Sequence, residues 1–165
     1  MKRLIMIGGT MGVGKTTISQ LLKKKLDCCV MLDGDWCWDM HPFVVNDDTK
    51  AMVMNNIVYQ LQSFIDCSVI ENIVFCWVLY EQEIIDEICQ RLDLSNVQVY
   101  PISLVCDKKT LKEHLQKDIE LGIRNESVIE RSLERLQHYH KLTTHQINIS
   151  ALSQEEIVGQ ILDYI

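Results

Sequence analysis

The chain has 165 residues, 47% of them hydrophobic and 24% charged, with a formal net charge of −7. This length and composition suit one globular domain, residues 1–165, that buries a core without staples. The excess of 23 acidic over 16 basic residues argues against a nucleic-acid backbone as the main partner, because phosphates call for broad positive surface.

Residues 3–7 are a short apolar run and read as a buried strand that stops at Gly8, too soon for an export signal. Residues 15–26 carry Ile18, Leu21, Leu22 and Leu26 at helical spacing and end in Lys23, Lys24 and Lys25, where cations suit the helix dipole. Cys28 to Leu32 reads as a second strand, stopped by Asp33-Gly34-Asp35. A long amphipathic helix follows over 48–65, then a third strand region over 69–79 rich in β-branched and aromatic residues. Residues 81–92 predict a helix, 97–105 a fourth strand, and 108–120 and 126–140 two helices parted at Gly122. A short strand over 146–149 and a helix over 153–164, led by the capping box Ser153-x-x-Glu156, complete the order βαβαβαβααβα. Strands alternating with helices predict an α/β fold with a five-stranded parallel sheet and helices on both faces, and ligands bind such sheets at the carboxyl ends of the strands. No apolar stretch approaches the roughly 18 residues that span a membrane. Seven cysteines without a CxxC pair or metal-ligand spacing read as reduced thiols of a cytoplasmic protein.

The strongest signal is Gly9-Thr10-Met11-Gly12-Val13-Gly14-Lys15-Thr16, a full match to G-x-x-x-x-G-K-[ST] set between a strand and a helix. Glycines let the backbone curl so that successive N–H groups converge on one phosphate, and the helix adds its positive end. Lys15 supplies a charge to the β- and γ-phosphates, Thr16 a hydroxyl for Mg²⁺, and Thr17 a group for the α-phosphate. ATP and Mg²⁺ are the cofactors this loop predicts. An Asn-Lys-x-Asp motif, the mark of a GTPase, is missing, and motor ATPases need larger domains.

The second strand ends Leu32-Asp33-Gly34-Asp35-Trp36. Of the two carboxylates, one is suited to hold Mg²⁺ and the other to take the proton of an acceptor hydroxyl. The third strand, Ile73 to Val78, has no carboxylate at its end where many phosphate-loop proteins place a metal-binding aspartate. The metal set therefore reduces to Thr16 and the Asp33/Asp35 pair.

The loop over Gly9 to Thr16, followed about twenty residues later by Asp33-Gly34-Asp35-Trp36…His41-Pro42, resembles the small-metabolite kinases: gluconate kinase, shikimate kinase, adenylylsulfate kinase and chloramphenicol phosphotransferase. The His-Pro spacing differs from that of gluconate kinase. The resemblance implies the P-loop NTPase fold, a lid over ATP at about 107–135, Asp33 facing magnesium and Asp35 facing the substrate. Eight of the sixteen basic residues fall between Lys108 and Lys141. Within them Arg124, beside Gly122, is the first candidate for a lid arginine. Arg131, and more weakly Arg135 four residues on, are candidates for the same task, with paired surface arginines as the alternative. His114 and Lys117 stand where related lids often present arginine, His114 reading as a half-buried polar residue rather than a catalyst.

Trp36, Trp38 and Phe43 follow the acidic pair and read equally as the lining of an acceptor pocket for a flat molecule or as packing of a loop onto the core. The function these features predict is an ATP-dependent kinase acting on a small-molecule or nucleotide acceptor, working as a monomer or homodimer. The alternative is a nucleotide-binding switch without transfer chemistry. A kinase of nucleic-acid 5′ ends ranks third because of the acidic charge.

Overall fold

A computed structural model of the chain describes residues 1–123 and 125–165. The strands are β1 (Lys2–Gly8), β2 (Cys29–Asp33), β3 (Asn72–Cys76), β4 (Val97–Val105) and β5 (His145–Asn148). The helices are α1 (Lys15–Lys25), α2 (Asp47–Asp66), α3 (Gln82–Gln90), α4 (Lys108–Glu120), α5 (Val128–Leu136) and α6 (Gln154–Tyr164). Two 3₁₀ turns, Gly34–Trp38 and Tyr139–Lys141, follow β2 and α5.

All five strands run parallel in the order β2-β3-β1-β4-β5. The alternation of side chains along a strand divides the core into two layers. Ile5 and Ile7 of β1 face a cluster that holds Ile18 and Leu22 of α1, Leu111 and Leu115 of α4, and Val158 and Ile161 of α6. Leu4 and Met6 face the other way, onto Val53, Ile57 and Leu61 of α2 and Ile85 and Ile88 of α3. Both faces of the sheet are therefore covered, as an all-parallel sheet requires.

The third strand is shorter than the β-rich run over 69–79 predicts. Ile70 N–H closes a turn onto the Cys67 carbonyl at 3.1 Å before β3 begins. Beyond Cys76 the Trp77 N–H still donates to the Ile7 carbonyl, and Gly9 N–H donates to the Val78 carbonyl, so the chain leaves the sheet along the loop after β1. The helix expected over 126–140 ends at Leu136 and tightens into the second 3₁₀ turn. Ser153 and Glu156 cap α6 reciprocally, and Asn46 with Thr49 does the same for α2. None of the described helices is long and apolar enough to cross a membrane.

Candidate active site

The central strand β1 delivers residues 9–14 to the carboxyl edge of the sheet. Gly14 caps α1 in the left-handed region (φ 96°), with no side-chain cap and no acidic residue in the first helical turn. The first N–H groups of α1, which have no intrahelical acceptor, are thereby left to an anion. Gly12 also sits at positive φ (83°), and a Cβ there would lie 2.6 Å from Leu115 Cδ2, so both conformation and space call for glycine. Lys15 Nζ donates to the Thr10 carbonyl at 3.0 Å, which folds the lysine back over the loop.

Thr16, one residue into α1, donates its hydroxyl to Asp33 Oδ2 at 2.7 Å. Asp33 ends β2 and is 5% exposed, and its other oxygen, Oδ1, accepts the Asp35 N–H at 3.0 Å. The strand order puts β3, not β2, beside β1. The meeting of Thr16 with Asp33 depends on α1 crossing β3 to reach β2. A hydroxyl and a carboxylate converging at one point are hard oxygen donors of the kind Mg²⁺ takes, with nucleotide phosphates and water completing its shell. Among the described residues no group of three or more His, Cys, Asp or Glu side chains gathers to hold a metal on its own. The donor set therefore fits a metal that arrives with its nucleotide.

Cys76 ends β3 in register with Asp33 and occupies the strand end that the sequence shows to lack a carboxylate. Burial, above all, pushes its thiol up to about 12, and the neighbouring Asp33 charge adds to the rise. Within one turn of Thr16, the fully buried Ser19 hydroxyl lies against the Cys76 thiol. Neither residue was marked as part of the site by any sequence motif. Cys76 owes its place to strand pairing, and Ser19 to the turn of α1 it shares with Thr16.

The segment read as a lid packs directly on the phosphate loop. Thr10, itself fully buried, donates its hydroxyl to the Ser132 carbonyl of α5 at 3.0 Å. The ring of half-buried His114 on α4 lies 3.2 Å from the Gly12 carbonyl, Nδ1–H donating in that tautomer, so His114 buttresses the loop. The exposed Arg131 precedes Ser132 on α5, next to this contact. Arg135 lies with its guanidinium 4.7 Å from the centre of the Tyr80 ring, a cation–π contact. Tyr139 is fully buried and donates its hydroxyl to the Val78 carbonyl, tying the end of α5 to the chain leaving β3. Arg124 lies outside the described residues. A separate groove of about 640 Å³ runs along α4 and α5 between Lys112, Gln116, Lys117 and Ile129, and none of its walls comes from the phosphate loop or β2.

On the far side of Asp33, the 3₁₀ turn carries Gly34 against Trp77. A Cβ on Gly34 would lie 2.4 Å from the Trp77 ring, so glycine alone allows this approach. Asp35 is exposed on the same turn. Trp38 and Phe43 meet with ring centroids 5.8 Å apart, and Cys37 Sγ accepts from Gln60 of α2 at 3.4 Å. The sequence left pocket lining and core packing as equal readings of these aromatics. Half-buried Trp38 and Trp77 do pack, Phe43 meets Trp38 yet stays 67% exposed, and Trp36 is 54% exposed.

A glycine-rich cradle at the carboxyl end of the central strand, leading into an uncapped helix, defines an α/β protein of the P-loop NTPase fold. The chain belongs to the AAA domain family, whose family model matches residues 5–133. Similar solved structures include a gluconokinase from Sinorhizobium meliloti 1021 (TM-score 0.69, 17% identity, covering 96% of this chain and 89% of that one). The tunicamycin resistance protein of Deinococcus radiodurans superposes with a TM-score of 0.74 at 17% identity, covering 99% and 95%. A sugar kinase from Janibacter sp. HTCC2649 gives 0.70 at 14% identity, covering 99% and 94%. The likeness to P-loop small-molecule kinases read from the sequence thus holds for the fold. No curated protein matches the sequence.

Proposed function

We propose that the protein is a cytoplasmic, ATP-dependent kinase that transfers the γ-phosphate of ATP to a hydroxyl on a small molecule. The observation that carries this reading is the 2.7 Å contact between Thr16 and Asp33, which brings the hydroxyl of a phosphate loop onto a buried carboxylate at the end of β2, two strands from the loop's own. The fold it shares with a gluconokinase and a sugar kinase supports it.

In this reading the loop over Gly9 to Gly14, with Thr10, Met11 and Val13 between the glycines, cradles the β-phosphate through its N–H groups beyond Gly9, whose own N–H holds the Val78 carbonyl, and Thr17 meets the α-phosphate. Lys15 swings from the Thr10 carbonyl onto the β- and γ-phosphates. Thr16 and Asp33 would hold the metal that comes with the nucleotide, and it would supply positive charge against the phosphate oxygens. Asp35, held beside it by its own N–H on Asp33, orients the acceptor hydroxyl. The hydroxyl oxygen forms a bond to the γ-phosphorus as the bond to the β–γ bridging oxygen breaks. The acceptor proton passes to Asp35 and then to water, and ADP leaves with the electron pair of the broken bond. Arg131 and Arg124 of the lid supply positive charge to the equatorial oxygens.

The test is ADP release from Mg·ATP over a panel of acceptor alcohols. Acceptor-dependent release that disappears in Lys15→Ala supports the kinase. ATP binding without stimulation by any acceptor would instead favour the switch, in which the same cradle senses nucleotide without transfer.

A further inference from the structure

The charge of this molecule is divided between its two halves. From Leu26 to Gln90, the stretch that builds β2, the 3₁₀ turn, α2, β3 and α3, the sequence has one cation, Lys50, against twelve carboxylates. That lysine stands 3.8 Å from Asp47 at the exposed start of α2. Arg91, which ends α3, is paired as well, with Glu87 at 3.2 Å and with Asn55 of α2 at 2.6 Å. The remaining cations belong to the phosphate loop, α1, the sheet's amino end, the lid and the turn after it. The acceptor side of Asp33 is thus electronegative, and two of the twelve, Asp35 and Asp39, are exposed directly after it in the chain. Arg135 of the lid is engaged over the Tyr80 ring.

The same side holds all three tryptophans of the chain, Trp36, Trp38 and Trp77. They are linked to the phosphate site by short covalent and packing distances. Asp33 is fixed on Thr16, Gly34 lies on the Trp77 ring, Trp36 follows two residues later, and Trp38 meets Phe43. Trp36 and Phe43 remain more than half exposed although the turn carrying Trp36 already packs on α2, and Val44 and Val45 extend the apolar surface. Flat rings presented to solvent beside a proton-accepting carboxylate suit a ligand with a flat apolar face. A surface whose two cations, Lys50 and Arg91, are already paired with carboxylates repels an anion, which would be desolvated there without a partner.

Resting on the kinase reading above, we propose that the acceptor is an alcohol that carries a flat apolar ring and no negative charge. Ring and charge set the specificity together. Trp36 and Phe43 take the ring, Asp35 takes the hydroxyl, and the electronegative surround turns away sugar acids and phosphomonoesters. Trp36 acts here as a specificity-determining residue.

The test uses the full chain with Mg²⁺ and a non-hydrolysable ATP analogue, and two matched pairs of probes. Phenylpropanediol is set against hydroxyphenylpropanoate, and uridine against uridine monophosphate, with gluconate as a ringless anion. Calorimetry is expected to show the neutral member of each pair binding about 10-fold or more tightly than its anionic partner. Phenylpropanediol is expected to shift the tryptophan emission, which arises from this wall alone. Trp36→Ala, at a site more than half exposed and checked for an unchanged melting temperature, is expected to weaken ring binding about 10-fold. The proposal is overturned if an anionic member binds as tightly as its neutral partner, if neither ring compound binds, or if Trp36→Ala leaves ring binding unchanged. ADP release driven best by gluconate or uridine monophosphate would also overturn it while upholding the kinase. Ring binding with these signatures and no ADP release from any alcohol would uphold the ligand class and remove the kinase.

Discussion

Thr16 and Asp33 lie seventeen residues apart on different strand–helix units, and their side chains meet at 2.7 Å. The contact is possible because α1 packs over both β3 and β2 on its way back across the sheet. Asp33 is held from two sides, by the Thr16 hydroxyl and by the Asp35 N–H, so its orientation does not depend on a bound metal.

This pairing predicts the behaviour of Asp33→Asn and Thr16→Ala. Each is expected to lower kcat by about 10² or more, since each removes a metal-facing oxygen, and each should raise the Mg²⁺ concentration that gives half-maximal rate. Because the two side chains act on one ion, the double variant should lose far less than the product of the two single losses. Steady-state kinetics across a Mg²⁺ titration checks this. Additive losses would mean that the two residues act separately.

Asp35 is expected to act on the acceptor and not on the nucleotide. Asp35→Asn should lower kcat by about 10²–10⁴ while the Kd for ATP stays within a few-fold. Rapid-quench turnover alongside nucleotide titration separates the two quantities, and unchanged turnover would remove Asp35 from the proposed mechanism.

The close approach of Gly34 to Trp77 leaves no room for a methyl group, with 2.4 Å to the ring. Gly34→Ala is expected to cost about 1–3 kcal/mol, through displacement of the indole or of the turn. Adding Trp77→Ala should return part of that loss by vacating the space, so the pair should be non-additive in urea unfolding. If Gly34→Ala unfolds at the wild-type midpoint, the turn is free to shift away from β3.

The thiols separate by burial. All seven cysteines are free, with Cys28 and Cys67 exposed and Cys76 and Cys106 buried. Burial pushes Cys76 up to about 12, and Cys29 and Cys106 to about 11. At neutral pH iodoacetamide should therefore modify Cys28 and Cys67 first, and Cys76 only after unfolding, as read by peptide mass spectrometry. The same shifts set a pH dependence. A thiol whose folded pKa is raised keeps its proton in the native state after the unfolded chain, near 8.5–9, has lost its own. Stability is then fully present below about pH 8.5 and declines as pH rises from there towards 11 or 12, and Cys76→Ala should flatten part of that decline.

Much of this protein could be read along the chain, because its local signals agree with its fold. The Gly9-to-Thr16 loop carries its own geometry in three glycines and a lysine, and the strand and helix around it are marked by apolar period. Where the reading went too far, at 69–79 and 126–140, hydrophobic residues continue past the point at which backbone hydrogen bonds turn elsewhere.

The sequence by itself determined the phosphate cradle, the parallel α/β order and the candidacy of Asp33, since each rests on residues close together in the chain. Only the tertiary structure decided that β3 lies between β1 and β2, that α1 nevertheless carries Thr16 to Asp33, and that Cys76 closes the strand end beside them. It also decided which aromatics are spent on packing and which, Trp36 and Phe43, stay exposed to solvent. These are relations between segments tens of residues apart. They arise from burying both faces of one sheet at once, and no local pattern encodes which strand will lie beside which.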